Sequence, residues 1–331
     1  MTFILGSDWK EQDWELFAQG RAHVLFKRSQ SSSQFFDEYL LRLPKQRILS
    51  KSEVDAYFDT RENFWSPIIG RIHLLETFGA SLTVSFVSAL LAKAGCLRKS
   101  DVHMCYGLLV KNVISPVELK LKCPIVERPG TRTRIFMEQS LMNSSPYDPA
   151  EIFNESTRMI GIQKLISSRF HKAPIKPKNA ESAILRIFEN LEISSLLVRL
   201  KCLMAFGVEE FAIRALKLQN LLNQVEKNNN VISLAEVLFS YYNKGVDNFR
   251  DTGDLLLEQG CQPDSQINFH IQAEDWIRMF LLARTAMDVS LLISNDEVFV
   301  IDLDVKPIQK LSFYAEQFAL ALDAYQRSTL S

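Results

Sequence analysis

The sequence predicts an α+β protein, with a strand-rich N-terminal portion and a larger, mostly helical C-terminal portion. Three observations predict it. Apolar runs bounded by turn residues, strand-like in length, occur at 13–45, 106–110 and 117–123. Apolar residues spaced three and four apart recur at 152–166, 181–224, 232–243 and 273–286, as on helices with one buried face. Two further short apolar runs, Val289 to Ile293 and Val298 to Ile301, flank the polar turn Ser294-Asn295-Asp296-Glu297. The 331 residues suffice for one large two-lobed domain or two smaller ones, with a sizeable core.

Composition narrows the function classes. Hydrophobic residues make up 47% and charged residues 23%, as in ordinary soluble globular proteins. The net charge of -1 provides no whole-chain attraction to nucleic acid or anionic membrane, so any polyanion site must be a local basic cluster. An odd set of 5 scattered cysteines predicts reduced thiols and a place in cytoplasm or nucleus. Met1 to Gly6 is too short an apolar run for a signal peptide, and no window reaches the ~20 apolar residues of a membrane span. The expectation is a monomer that binds no DNA and does not span a membrane.

In order, residues 13–45 read as strand, turn, strand, with Gly20 in the turn and Arg42 on the later strand. A glycine there can lay backbone N–H groups against phosphate, and an ordinary hairpin turn is the alternative. Residues 52–67 have helical periodicity, and 71–94 read as one or two apolar helices. Tyr106 to Val110 suits an edge strand and connector. Val117 to Cys123 alternates strictly, which places Glu118, Lys120 and Lys122 on one strand face, and Arg128, Arg132 and Arg134 follow. This is the densest basic cluster of the chain, and it fits either phosphate binding or a solvated strand face. Turn chemistry at Ser144 to Pro149 precedes the helices, with loops at 171–179 and Asn228 to Asn230. Residues 310–327 form a last amphipathic helix.

The strand pair near the C-terminus carries the chemistry. Asp288 precedes its first strand, Asp302 and Asp304 end its second, and Lys306 lies two residues on. Carboxylates at strand tips beside a lysine can hold Mg²⁺ and neutralise phosphate, which is the work of phosphoryl transfer. Spacing alone also allows a surface hairpin with solvated acids.

These segments together resemble the inositol-pentakisphosphate 2-kinase family. Ala18-Gln19-Gly20-Arg21-Ala22-His23-Val24 is similar to its glycine loop, Gly-Glu-Gly-x-Ala-Asn-hydrophobic. Leu40-Leu41-Arg42-Leu43 is similar to its Val-Leu-Arg strand, and Leu108 to Asn112 to its lobe connector. Val117 to Cys123 resembles Val-Glu-Ile-Lys-Pro-Lys-Cys-Gly, and Arg134 to Gln139 sits where the family has Arg-x-x-Met-His-Gln. Tyr147-Asp148-Pro149 through Phe153 resembles Tyr-Asp-Pro-Leu-Asp-Leu-Phe, and Thr285 to Ser290 resembles Thr-Ala-Lys-Asp-Cys-Ser. Ile301 to Pro307 matches the final motif, with Asp302, Lys306, Lys310 and Tyr314 at helical spacing.

The resemblance implies a two-lobed kinase-like fold, with an N-terminal lobe of 1–112 built on an antiparallel sheet and a mostly helical C-terminal lobe of 113–331. It implies ATP and Mg²⁺ as cofactors and inositol pentakisphosphate as the acceptor, phosphorylated on its 2-hydroxyl to give the hexakisphosphate. Asp288 would be the catalytic base. Asp302 would ligate Mg²⁺ with Asp304 nearby, and Gly20 and Arg42 would lie over the nucleotide phosphates. Lys120, Lys122, Arg134, Lys306, Lys310 and Tyr314 would hold the substrate phosphates.

The sequence also departs from the pattern. One loop glycine is lost, with Gln19 and His23 for the loop's Glu and Asn. Leu121 replaces a proline, Glu138 a histidine, and Met142 and Met287 lysines. Ala183 and Ile184 fall where the family has an Asn pair. The alternative is a weak or inactive member that binds inositol phosphates as a scaffold. His171, Cys202, Cys261 and His270 are too dispersed for the zinc site that some members carry.

Overall fold

The computed structural model describes residues 3–6, 8–20, 22–29, 38–45, 47–96, 104–113, 117–122, 124–125, 133, 136, 147–170, 180–223, 234–260, 266–294 and 297–316. The chain forms two compact units. The first is Met1–Glu62 with Leu74–Ser115, and the second is Asn63–His73 with Pro116–Ser331. Thus the segment 63–73 is set in the second unit although its flanks belong to the first.

The first unit is built on a six-stranded sheet of β1 (Phe3–Leu5), β2 (Trp14–Gln19), β3 (His23–Arg28), β4 (Tyr39–Pro44), β5 (Thr77–Thr83) and β6 (Met104–Lys111). The spatial order is β1-β5-β6-β4-β3-β2. β1 runs parallel to β5, and the other pairs are antiparallel. Burial follows that order. β4 is covered on both faces, whereas the edge strand β2 buries only Trp14.

Two expectations are corrected here. β6 is an interior strand between β5 and β4, not an edge strand. The apolar stretch 71–94 is part strand, with Thr77–Thr83 in the sheet between the short 3-10 turn Arg71–His73 and the helix Val84–Lys93. A short run buried on every side has no periodicity that separates strand from helix. β1 is a three-residue strand recognisable only by its partner β5.

Helix α1 (Lys51–Thr60) starts at a capping box, in which the Ser50 side chain accepts from the Glu53 N–H and the Glu53 carboxylate accepts from the Ser50 N–H. α2 (Ser66–Ile69) lies in the 63–73 segment. α3 (Val84–Lys93) is capped by Thr83 and packs Phe86, Val87, Leu90 and Leu91 into the core over the sheet, with Trp14, Phe26 and Leu41.

The second unit contains a three-stranded antiparallel sheet, β7 (Val117–Lys120), β8 (Ser290–Ser294) and β9 (Glu297–Ile301), with β8 in the middle. Besides α2 and a helical segment at 311–316, its described helices include α4 (Pro149–Phe153), α5 (Arg158–Phe170), α6 (Ala180–Phe188), α7 (Leu191–Met204), α8 (Glu209–Leu222), α9 (Leu234–Lys244), α10 (Val246–Gln259) and α11 (Gln266–Ala286). The segment 63–73 is tied to this unit by Arg199 Nε, which donates to Ile68 O at 2.5 Å, and by His73 Nδ1, 2.8 Å from Val298 O.

α11 is the central helix. Ala273, Trp276, Ile277, Phe280, Leu282 and Ala283 are all buried, so it is apolar on nearly every side. Trp276 stacks on Phe249 at 4.3 Å and donates to the Phe249 carbonyl at 2.8 Å. Close approach requires glycine twice around it. A Cβ at Gly253 would lie 2.7 Å from the Trp276 ring, and one at Gly207 2.9 Å from the Ala283 carbonyl carbon.

One carboxylate is held inside this helical packing. Asp275 is 7% exposed. Burial pushes its carboxyl up to about 6, while Arg278 draws it down and Glu274 pushes it up. A folded-state value above the unfolded one of about 3.9 means stability that is full below about pH 4 and lost as pH rises through about 6. Asp275→Asn keeps the volume and removes the titration. Urea unfolding should show the variant gaining on the wild type by on the order of 3 kcal/mol between about pH 4 and pH 7. A stability difference that does not change with pH would contradict this.

Candidate active site

The carboxylates expected from the sequence gather at one end of the β7-β8-β9 sheet. Register places Lys120 opposite Ser290 and Ser290 opposite Ile301. Asp288, just before β8, and Asp302, just after β9, therefore leave the sheet at the same end as Lys120, the last residue of β7, and Lys122, two residues beyond it. The strand expected to run to Cys123 ends at Lys120, so Lys122 does not share its face. Lys122 (φ 64°) and Asp302 (φ 67°) both adopt the left-handed conformation, which costs an L side chain about 1–3 kcal/mol and clusters at functional sites.

A fully buried serine links the three strands. Ser290 Oγ donates to Glu118 Oε1 at 2.9 Å, with Asp302 Oδ2 at 3.3 Å, so one proton stands between two carboxylates. Lys120 Nζ lies 3.8 Å from Glu118 Oε1. The Tyr147 hydroxyl donates to the Leu121 carbonyl at 3.3 Å, between the two lysines. Asp148 caps α4 through the Ala150 N–H and accepts from Thr133 Oγ1 at 2.8 Å. The Tyr-Asp-Pro motif therefore positions the lysine strand, a part the sequence did not disclose. Leu121, in the proline's place, is fully buried.

Asp288 is compensated by several cations. Lys306 Nζ lies 2.9 Å from Asp288 Oδ2, and the Asp288 side chain is 47% exposed. Partial burial works against its charge, but Lys306, Lys122 and Arg284 outweigh that and hold the carboxyl below the usual carboxylate range. Tyr314 is buried beside this group. Burial pushes its phenol up to about 12, with Arg284 drawing it down and Asp288 pushing it up. Lys310 is exposed in the turn Ile308–Lys310 that precedes Tyr314. Met287 is buried, so the chain there is apolar where the family motif has lysine.

Thr285 joins these parts. Its hydroxyl is fully buried, 2.9 Å from Leu281 O and 3.2 Å from Asp304 O, and it accepts from the Lys306 N–H at 3.1 Å. The end of α11 is thereby fastened to the segment that carries Asp302, Asp304 and Lys306. Arg284, one residue earlier, places its guanidinium 4.4 Å from the centre of the Tyr314 ring. Neither Arg284 nor the Ser290 hydroxyl was assigned a role from sequence. The four-residue spacing of Arg284 and Asp288, a pairing distance on a helix, was the available signal.

Asp302 and Asp304 carry the hard oxygen donors that Mg²⁺ takes. Among the described residues no group of three or more His, Cys, Asp or Glu converges on one point. The protein would thus supply one or two carboxylates, with phosphate and water completing the shell, the usual arrangement where Mg²⁺ serves phosphoryl transfer. For zinc, Cys202 is exposed and His270 is buried 3.9 Å from Glu274, while His171 and Cys261 lie outside the described residues. Arg134, Glu138 and Met142 also lie outside them.

The nucleotide residues expected from sequence belong to the first unit. The Gly20 N–H donates to the His23 carbonyl at 2.9 Å and closes the β2–β3 turn. Arg42, on β4 opposite Leu25, has Nη2 3.2 Å from His23 Nδ1. His23, which replaces the family's Asn, accepts that bond as the Nε2–H tautomer.

Acids at strand ends, compensated by lysines from separate segments, form a site suited to phosphate chemistry, on a mixed α+β fold of the kinase type. The sequence profile of the inositol-pentakisphosphate 2-kinase family matches residues 17–317, nearly the whole chain, and the protein belongs to that family. No curated protein matches the chain. Among the described residues no helix is long and apolar enough to cross a membrane.

The Thr285 joint is testable. Thr285→Val keeps the shape and removes the hydroxyl, which leaves the Lys306 N–H without its acceptor. Urea unfolding should show a loss of about 1–3 kcal/mol, with Thr285→Ser close to wild type. Equal stability of the Val variant would show that the joint is not held by this hydroxyl.

Proposed function

We propose that the protein transfers the γ-phosphoryl group of ATP to the 2-hydroxyl of inositol 1,3,4,5,6-pentakisphosphate. Family membership supports an inositol phosphate kinase, and one observation carries the finer reading. Asp288 stands as a charged carboxylate among Lys306, Lys122 and Arg284, next to a segment with two further acids. A polyphosphate acceptor needs cations on several sides. An in-line transfer needs an anion that accepts the attacking hydroxyl's hydrogen bond.

In this reading Asp288 orients the hydroxyl and receives its proton as the new O–P bond forms. Its depressed pKa suits that duty, because in a loose transition state the proton leaves late and positioning matters more than basicity. Lys120, Lys122 and Lys306 hold substrate phosphates. Asp302 and Asp304 would hold Mg²⁺, which when bound offsets charge on the transferred group. Gly20 and Arg42 face the nucleotide phosphates. The Ser290 hydroxyl ties Glu118 and Asp302 to the same strand end.

A second reading, binding without turnover, draws on two observations. Met287 is buried and apolar where the motif has lysine, and the Gly20 N–H is engaged by His23 within its own turn. Calorimetry with ATP–Mg²⁺ and with the pentakisphosphate separates the two. The kinase reading expects both to bind and labelled phosphate to pass from ATP to inositol. Asp288→Asn should lower kcat by roughly 10²–10⁴ while pentakisphosphate binding persists. Undiminished turnover in that variant would remove Asp288 as the base, and binding without any product would favour the second reading.

A further inference from the structure

Arg284 lies on the last turn of α11, four residues before Asp288, and no motif singles it out. Its Nη1 donates to the Gly207 carbonyl at 3.0 Å, in the turn Ala205–Gly207 that follows α7. Its guanidinium carbon lies 4.4 Å from the centre of the Tyr314 ring. One planar cation therefore touches the end of α7, the end of α11 and the helical segment after β9. A guanidinium can bond in its plane and stack on its face at once, which an ammonium cannot do.

Two further facts give this arrangement a direction. Tyr314 is 6% exposed, yet its hydroxyl has no hydrogen-bond partner among the described residues. Buried hydroxyls are seldom left so, and this one stands near Asp288 with no described residue accepting its proton. A phosphate oxygen of the acceptor would meet that need. Met287 adds no charge at this end of α11, so Arg284 brings the positive charge from the helix side. Among the described residues, the other charged or titratable groups that act on or with Asp288 include Lys306 from the segment after β9, Lys122 from the exit of β7, and Tyr314 itself.

We propose that Arg284 is a positioning residue for the acceptor. It seats the Tyr314 ring so that its hydroxyl donates to an acceptor phosphate, and it stands as a cation behind Asp288. The proposal rests on the inositol phosphate reading of the same site. It commits to the acceptor rather than the nucleotide, because the described groups that Arg284 touches, Gly207 and Tyr314, lie in the second unit.

The test uses the full chain with Arg284→Met and Arg284→Lys. Inositol pentakisphosphate and ATP–Mg²⁺ binding are measured separately by calorimetry, with thermal melting as the control for folding. Arg284→Met should weaken pentakisphosphate binding roughly tenfold and leave ATP binding within about twofold. In turnover, the acid limb of kcat/KM should move to higher pH in Arg284→Met, because Asp288 loses a cationic neighbour. Arg284→Lys should restore the acid limb without restoring pentakisphosphate affinity. Wild-type affinity for the pentakisphosphate in Arg284→Met overturns the proposal. So does a parallel loss of both ligands that tracks a fall in melting temperature, the mark of a purely structural role. If the wild type binds the pentakisphosphate without turnover, the kinase reading fails while the binding comparison still decides the role of Arg284. A wild type that binds no inositol phosphate overturns both.

Discussion

The hydroxyl of Thr285 is the joint on which the second unit's site depends. One buried oxygen lies against the Asp304 carbonyl and accepts the Lys306 N–H, so the end of the central helix and the strand exit after β9 are held in one register. Asp288 follows that joint by three residues and Lys306 lies within it. The 2.9 Å ion pair between them is thus a product of backbone placement more than of two long side chains finding each other. A pair held that way forfeits less side-chain entropy than an ordinary surface salt bridge.

The charges around the joint balance locally. Among the described residues, four acids, Asp288, Asp302, Asp304 and Glu118, lie with Lys306, Lys122, Lys120 and Arg284 within a few residues of three strand ends, while the chain as a whole carries a net charge of only -1. The left-handed backbone at Lys122 and Asp302 belongs to the same design. Each turns the chain sharply at the strand exit, and each sits where a neighbouring bond opposes relaxation, Tyr147 to Leu121 O on one side and Ser290 to Asp302 on the other.

Departures from the family pattern take on distinct meanings in the structure. Leu121 and Met287 are both buried, so these two changes enlarge the apolar packing beneath the site. His23 remains polar and engages Arg42, so an acceptor is still present where the motif has Asn. Arg284 places a guanidinium near the same acid that the motif's lysine precedes. Loss of cationic character at one position is therefore not the same as its loss from the site.

Much of this protein was legible in its residues alone. Helices with spaced apolar faces, the alternating strand at Val117 to Lys120 and the strand pair after α11 follow from local pattern, because period and turn chemistry act over a few residues. The motif acids and lysines identified the chemistry. Tertiary structure alone decided the rest. β5 is a strand because β1 and β6 flank it, and its buried apolar run carries no period of its own. Residues 63–73 join the second unit because Arg199 and His73 anchor them to and from elements more than a hundred residues away in sequence. Arg284, Ser290 and Tyr147 acquire their parts only from what the fold brings beside them, since a hydrogen bond or a stacked cation is a property of two positions and no single one announces it.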